Sequence, residues 1–235
     1  MIEFITKYFN FISYGFELIT AIIGLLVIKR HKQSATKCFI YFLVYIVFVE
    51  CIGVSFIYFR DLGFIQFLRQ YGLRSNNWYN AFWMFGSVLF ILKYYHLLLK
   101  TKRYKTIVKY TAVVFTLIFV LHVIFNFQLF LKVHPPLYFI LDASVIYICV
   151  SLYLLELLKS NAVLNMFTSF GLYASTGLFV WWLVITPIIF YDQYNTTADW
   201  DFANLKRRVF LFANIFMYTC FAIGLIISKP HLKND

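Results

Sequence analysis

The sequence predicts an all-α protein, a polytopic membrane bundle of seven transmembrane helices, and three observations lead to this prediction. Hydrophobic residues make up 62% of the 235 residues, charged residues make up 13%, and the mean hydropathy is +0.77. Long apolar stretches recur along the chain, each close to the roughly 20 residues that cross a bilayer core as a helix. Runs such as Ile22–Ile28 do not alternate polar and apolar residues, so a membrane barrel is excluded.

Seven predicted spans account for most of the chain. We place them at residues 9–29, 38–59, 78–99, 107–127, 137–158, 166–190 and 208–228. The connections between these spans are too short for a soluble domain, so residues 1–235 are expected to form a single transmembrane domain. Between the second and third spans, apolar side chains from Phe64 to Leu68 are close to helical spacing. They predict a short amphipathic helix along the membrane interface.

Basic residues set the predicted orientation of the bundle. Twelve lysines and arginines fall on the side that holds the clusters Lys29–Lys37 and Lys100–Lys109, and eight fall on the other side. Because cytoplasmic loops carry more Lys and Arg, we expect the N-terminus outside and the C-terminus in the cytoplasm. The formal net charge of +11 comes largely from these flanking residues. We therefore expect the lipid bilayer as a partner and no nucleic acid.

Polar side chains inside the predicted spans are candidate functional groups, because a charge at membrane depth costs several kcal/mol. Glu17 and Glu50 lie on consecutive antiparallel spans at matching depths, about 12–14 Å below the outer surface at ~1.5 Å per residue. The same outer half contains Asn80, His122, Asp142 and Asn214. This set predicts a polar network, or a pocket that opens to the outside.

The inner half of the predicted bundle contains fewer polar groups. Lys93 and His96 share a face of the third span, and Glu156 lies at the end of the fifth. We expect the Lys93 ammonium to extend toward the inner headgroups. Because an ion path needs groups in both leaflets, the asymmetry favours a binding pocket or a structural network over transport. Interhelical hydrogen bonds of such a network stabilise a bundle by about 1 kcal/mol each.

Motif patterns remove several activities from consideration. The chain contains no HExxH, GxSxG, phosphate-binding loop or GxGxxG. Its four cysteines lie within or at the ends of spans and lack zinc-site spacing. A retinal Schiff base would need a lysine within the seventh span, where only Lys229 occurs, at the end. No metal site, cofactor or catalytic residue is predicted.

Five segments carry a likeness to known sequences: FVECIG at 48–53, NNWYNAF at 76–82, LKYYHLLLKTKRYK at 92–105, LYLLELLKSNAVLN at 152–165 and LFANIFMYTCFAIGLIISK at 211–229. Through them the chain resembles an uncharacterised family of multi-pass inner-membrane proteins of about seven helices from flavobacteria and related Bacteroidota. The resemblance implies a location in the bacterial inner membrane. It also implies that Glu50, Asn80, Glu156 and Asn214 belong to the polar set, and it implies no activity.

Three functions remain open from the sequence. The first is a non-enzymatic sensor or accessory subunit, which needs another membrane protein or a second copy as partner because the spans leave no room for an output domain. The second is a small transporter or proton-coupled channel that uses Glu17, Glu50 and Lys93. The third is a membrane enzyme acting on a lipid or isoprenoid, with Asp142, His122 and Glu50 as acid–base groups.

Overall fold

The computed structural model describes residues 8–59, 63–70, 77–127, 136–192 and 200–228, and their regular secondary structure is entirely helical. The helices are α1 (Phe9–Val27), α2 (Ser34–Tyr58), α3 (Gly63–Gln70), α4 (Asn77–Leu98), α5 (Lys102–Phe125), α6 (Pro136–Leu158), α7 (Phe170–Asp192) and α8 (Trp200–Ile227). A 3₁₀ helix, Asn161–Thr168, precedes α7.

Six of the described helices are long and apolar enough to cross a membrane, namely α1, α2, α5, α6, α7 and α8. At the position of the third predicted span, α4 contributes a shorter apolar segment, Phe82–Leu98. The chain is therefore an integral, multi-pass membrane protein. Seven spans and the outside position of the N-terminus remain predictions, the first from hydropathy and the second from the basic residues.

Six helices form a closed ring, and α5 packs outside it. Each of α1, α2, α4, α6, α7 and α8 packs against the next in that order, and α8 closes the ring against α1. Helix α5 packs against α4 and α6. Near the start of α1, Ser13 contacts Asn214, and after its end His31 contacts Leu225, so α1 and α8 run parallel. We call the half where α1, α4, α6 and α8 begin the upper half, and the other the lower half.

Aromatic residues fill the lower half of the ring. The Phe39 side chain is completely buried. Its ring centroid lies 4.9 Å from those of Tyr94 and Phe221 and 5.0 Å from that of Phe170, in edge-to-face geometry. Aromatic pairs in this geometry add about 0.5–1.5 kcal/mol beyond their burial. Packing among α2, α4, α7 and α8 therefore closes the lower half around one phenylalanine.

Several helix boundaries differ from the predicted spans, among them the starts of α2 and α5, which lie at Ser34 and Lys102 rather than at residues 38 and 107. Helix α8 begins at Trp200 rather than at residue 208. Its first turns are helical, but the predicted span left them out because they contain charged residues such as Asp201 and Lys206. Helix α7 begins at Phe170 rather than at residue 166, because the preceding residues form a 3₁₀ helix with non-helical backbone angles at Asn165. The helix expected from Phe64 to Leu68 is confirmed as part of α3.

Candidate functional site

Two tyrosines and two glutamates from α1, α2 and α8 form the glutamate cluster: Tyr14, Glu17, Glu50 and Tyr218. The Glu17 and Glu50 carboxylates lie close enough to interact electrostatically. Tyr218 donates a hydrogen bond to Glu17, and Tyr14 donates one to Glu50. The two acids predicted at equal depth are therefore neighbours across the α1–α2 contact.

Burial distinguishes the two acids of this cluster. The Glu17 side chain is only 6% exposed, whereas Glu50 is half-buried. One Glu17 oxygen, Oε2, is buried without a hydrogen-bond partner among the described residues. Leaving a buried acceptor unsatisfied costs about 1–3 kcal/mol. Glu17 is therefore poorly explained as a purely structural residue.

Asn214 links three helices beside the glutamate cluster. The Trp181 indole N–H of α7 donates to Asn214 Oδ1 at 2.6 Å, and Asn214 Nδ2 donates to Ser13 Oγ of α1 at 3.2 Å. Two turns further along α1, the Thr20 hydroxyl bonds to Phe16 O at 2.7 Å and lies 3.3 Å from Tyr218 O. Both side-chain functions of the Asn214 amide are used, so this predicted site residue has a structural role.

Asp142 on α6 lines a partly open cavity of about 40 Å³, and its side chain is 2% exposed. The cavity lies inside the ring and is bounded by α2, α4, α6, α7 and α8. Its lining includes Phe42, Trp83, Ser87, Trp181, Trp182 and Tyr218. Because Tyr218 also bonds to Glu17, this residue connects the glutamate cluster with the Asp142 cavity.

The other predicted residues of this half do not join these groups. His122 Nδ1 lies 2.8 Å from the Tyr138 hydroxyl across the α5–α6 contact. Among the described residues no hydrogen bond joins His122 directly to Asp142 or Glu50, and the acid–base set of the enzyme hypothesis stays a prediction. Asn80 lies in α4, but its side chain is outside the described part of the structure.

The predicted polar residues of the lower half lie at a helix end or on the outside of the bundle. Glu156 Oε1 accepts from the backbone N–H of Lys100 at 2.7 Å, and Oε2 accepts from that of Thr101 at 2.8 Å. Glu156 therefore caps the N-terminus of α5, where negative charge is favoured. Lys93 and His96 are exposed on α4 rather than directed into the ring. In the described part of the chain, no three His, Cys, Asp or Glu residues are grouped to hold a metal ion.

Sequence reasoning missed Tyr14 and His31. Tyr14 precedes Glu17 by three residues, a spacing that places both on one helix face and could have identified it. His31 lies outside the spans, yet it is only 4% exposed and its Nε2 lies 3.1 Å from Leu225 O near the end of α8. Nothing in the local sequence indicates that contact, because it depends on the closure of α8 against α1.

The fold and this arrangement define an integral membrane protein: a helical bundle whose upper half holds the glutamate cluster and the Asp142 cavity. No known protein family, curated protein or solved structure matches the chain. Membership of the flavobacterial family remains a prediction, and no residue receives a role by comparison.

Proposed function

We propose that the protein is a non-enzymatic inner-membrane protein that binds a ligand in the upper half of its bundle and acts as a sensor or accessory subunit. One observation carries the proposal: in the upper half Tyr218 bonds to Glu17 of the glutamate cluster and also lines the Asp142 cavity, whereas the lower-half acid Glu156 is used as a helix cap. A binding pocket needs such groups on one side only, and this distribution supports binding.

The surroundings of the pocket support recognition of a small polar ligand. Glu17 Oε2 and the Trp83 indole N–H are both buried without a partner among the described residues. Trp83 lines the cavity, and Tyr218 contacts both the cavity and Glu17. A polar ligand or water would satisfy groups that the described side chains leave unsatisfied.

We propose that a signal from the pocket passes to another protein at the lower side of the bundle. The basic clusters Lys29–Lys37 and Lys100–Lys109 lie at the lower side, which we propose faces the cytoplasm. Clustered Lys and Arg beside a membrane attract acidic surfaces, either on anionic lipid or on a partner protein. We therefore propose that the lower side contacts a second membrane protein or another copy of the chain.

Native mass spectrometry after gentle detergent extraction tests this function. We expect a stoichiometric protein partner, and we expect a retained small molecule that is lost in Glu50→Gln and kept in the matched lower-half variant Glu156→Gln. A lone chain that carries neither would contradict the proposal. If the isolated protein alone changed a cytoplasmic signal in a defined system, the proposed partner would not be required.

A second candidate is a small transporter or proton-coupled channel, favoured by the contact of Tyr218 with both Glu17 and the cavity. A chain of titratable and hydroxyl groups is the usual route for protons inside a membrane. Transport requires a flux across the bilayer that depends on Glu50, whereas binding alone requires no flux.

A further inference from the structure

The Asp142 cavity has room for very few atoms. Its volume is about 40 Å³, and a buried water needs roughly 10–15 Å³ of such space, so about three waters would fill it. This small volume suits water, a small ion or a combination of the two.

The Asp142 carboxylate needs a positively charged or hydrogen-bearing neighbour. Its side chain is 2% exposed and lines the cavity, so it is shielded from bulk water. An ionised carboxylate buried without a partner costs several kcal/mol. Either a proton or a cation in the cavity must offset that cost.

The hydroxyl groups of the lining cannot satisfy Asp142. The Ser87 hydroxyl donates its hydrogen to the Trp83 carbonyl, and the Tyr218 hydroxyl donates its hydrogen to Glu17. A hydroxyl whose hydrogen is engaged retains only oxygen lone pairs for other neighbours. Both groups are therefore suited to accept from, or to coordinate, whatever occupies the cavity.

Aromatic residues make the lining still more favourable for positive charge. Trp83, Trp181 and Trp182 border the cavity together with Phe42. Aromatic rings attract ammonium groups and other cations through their negatively polarised faces, by about 2 kcal/mol or more when water is excluded. The buried indole N–H of Trp83 is the one unsatisfied donor among the described lining residues, and a water held beside a cation would accept from it.

We propose that the Asp142 cavity binds one small monovalent cation, an alkali ion or ammonium, together with one or two waters. This inference rests on the proposed function, since it names the ligand class of the same pocket. One carboxylate balances a single positive charge. A divalent ion such as Ca²⁺ takes six to eight oxygen ligands, often from several carboxylates, whereas Asp142 is the one carboxylate among the lining residues.

Tryptophan fluorescence of the purified full-length protein in detergent tests the site. Three of the five tryptophans line the cavity, so its occupancy should alter the emission. Sodium, potassium and ammonium chloride are titrated separately, with choline chloride holding the ionic strength constant. We expect a saturable change with at least one small cation and none with choline. The unfolding temperature should rise by about 5 °C or more at saturation.

Variants assign the response to Asp142. Asp142→Asn keeps the side-chain shape and should abolish the saturable change, whereas Asp201→Asn, at an exposed position of α8, should retain it. A response to ammonium alone would identify ammonium as the bound cation. A response to sodium or potassium would identify an alkali ion. No response in the wild type, or an equal response in Asp142→Asn, would overturn the proposal. If Asp142→Asn does not fold, the wild-type comparison of small cations with choline still decides.

The outcomes also separate this inference from the proposed function. A stable partner found by mass spectrometry, without any cation response, would leave the accessory-subunit function standing and remove the cation site. A cation response accompanied by flux across a bilayer would keep the site and replace sensing with transport.

Discussion

Asn214 and Asp142 are both polar residues of the upper half, but they differ in what surrounds them. The Asn214 amide bonds to the Trp181 indole and to the Ser13 hydroxyl, so both of its ends have partners. The Asp142 carboxylate faces a cavity instead. Substitution of Asn214 should therefore affect stability, and substitution of Asp142 should affect what the cavity binds.

Asn214→Ala is expected to lower stability by about 2 kcal/mol or more, because two interhelical hydrogen bonds are lost and the Trp181 N–H is left without its acceptor. Thermal unfolding in detergent micelles measures the change. Thr219→Ala, at an exposed position of the same helix, is the control and should leave the unfolding temperature nearly unchanged. Equal stability of Asn214→Ala and the wild type would mean that this hydrogen-bonded link is not formed.

Helices α7 and α8 depend on small residues at their contact. A Cβ atom added to Gly177 would lie 2.9 Å from the Phe221 ring and 3.2 Å from the Met217 carbonyl oxygen. A backbone oxygen cannot move aside as a flexible side chain can, so the two helices would have to separate. The same two helices carry Trp181, Tyr218 and Asn214, and their close approach therefore positions the cavity and the glutamate cluster.

Gly177→Ala is expected to destabilise the bundle by about 1–3 kcal/mol, the usual cost of overpacking a tight contact. Gly15→Ala on α1 is the matched control, because an added Cβ there meets no atom within 4 Å. Its unfolding temperature should stay the same or rise, since alanine favours helix over glycine. The two variants are compared by thermal unfolding in the same detergent. Equal tolerance of both would contradict the close α7–α8 contact.

Hydropathy and residue counting predicted the elements and the depth of their polar groups, but not which side chains meet. Glu17 and Glu50 are at equal depth because both lie eight residues from the upper ends of α1 and α2. Their contact depends also on helix rotation, which depth does not determine. Glu156 caps α5 only because the chain at Lys100 and Thr101 passes beside α6. No spacing in the sequence indicates that approach.

The whole bundle combines a closed ring with an uneven distribution of polar groups. Packing of α8 against α1 closes the ring, and His31 and Arg30 reinforce it at the lower end through the carbonyls of Leu225 and Ile226. Aromatic packing around Phe39 fills the lower half. The upper half contains the acids and the cavity. This asymmetry leads us to propose a pocket that is closed toward the lower side.

The most direct test of this account is the flux of protons and of sodium or potassium ions through liposomes that contain the purified full-length protein. We predict that wild type and Glu50→Gln both conduct no faster than protein-free liposomes, because the lower-half acid Glu156 caps α5 instead of continuing a path through the bundle. The unfolding temperature of each preparation confirms that the protein is folded. Flux above that background in the wild type, lost in Glu50→Gln, would contradict the one-sided pocket and establish transport instead.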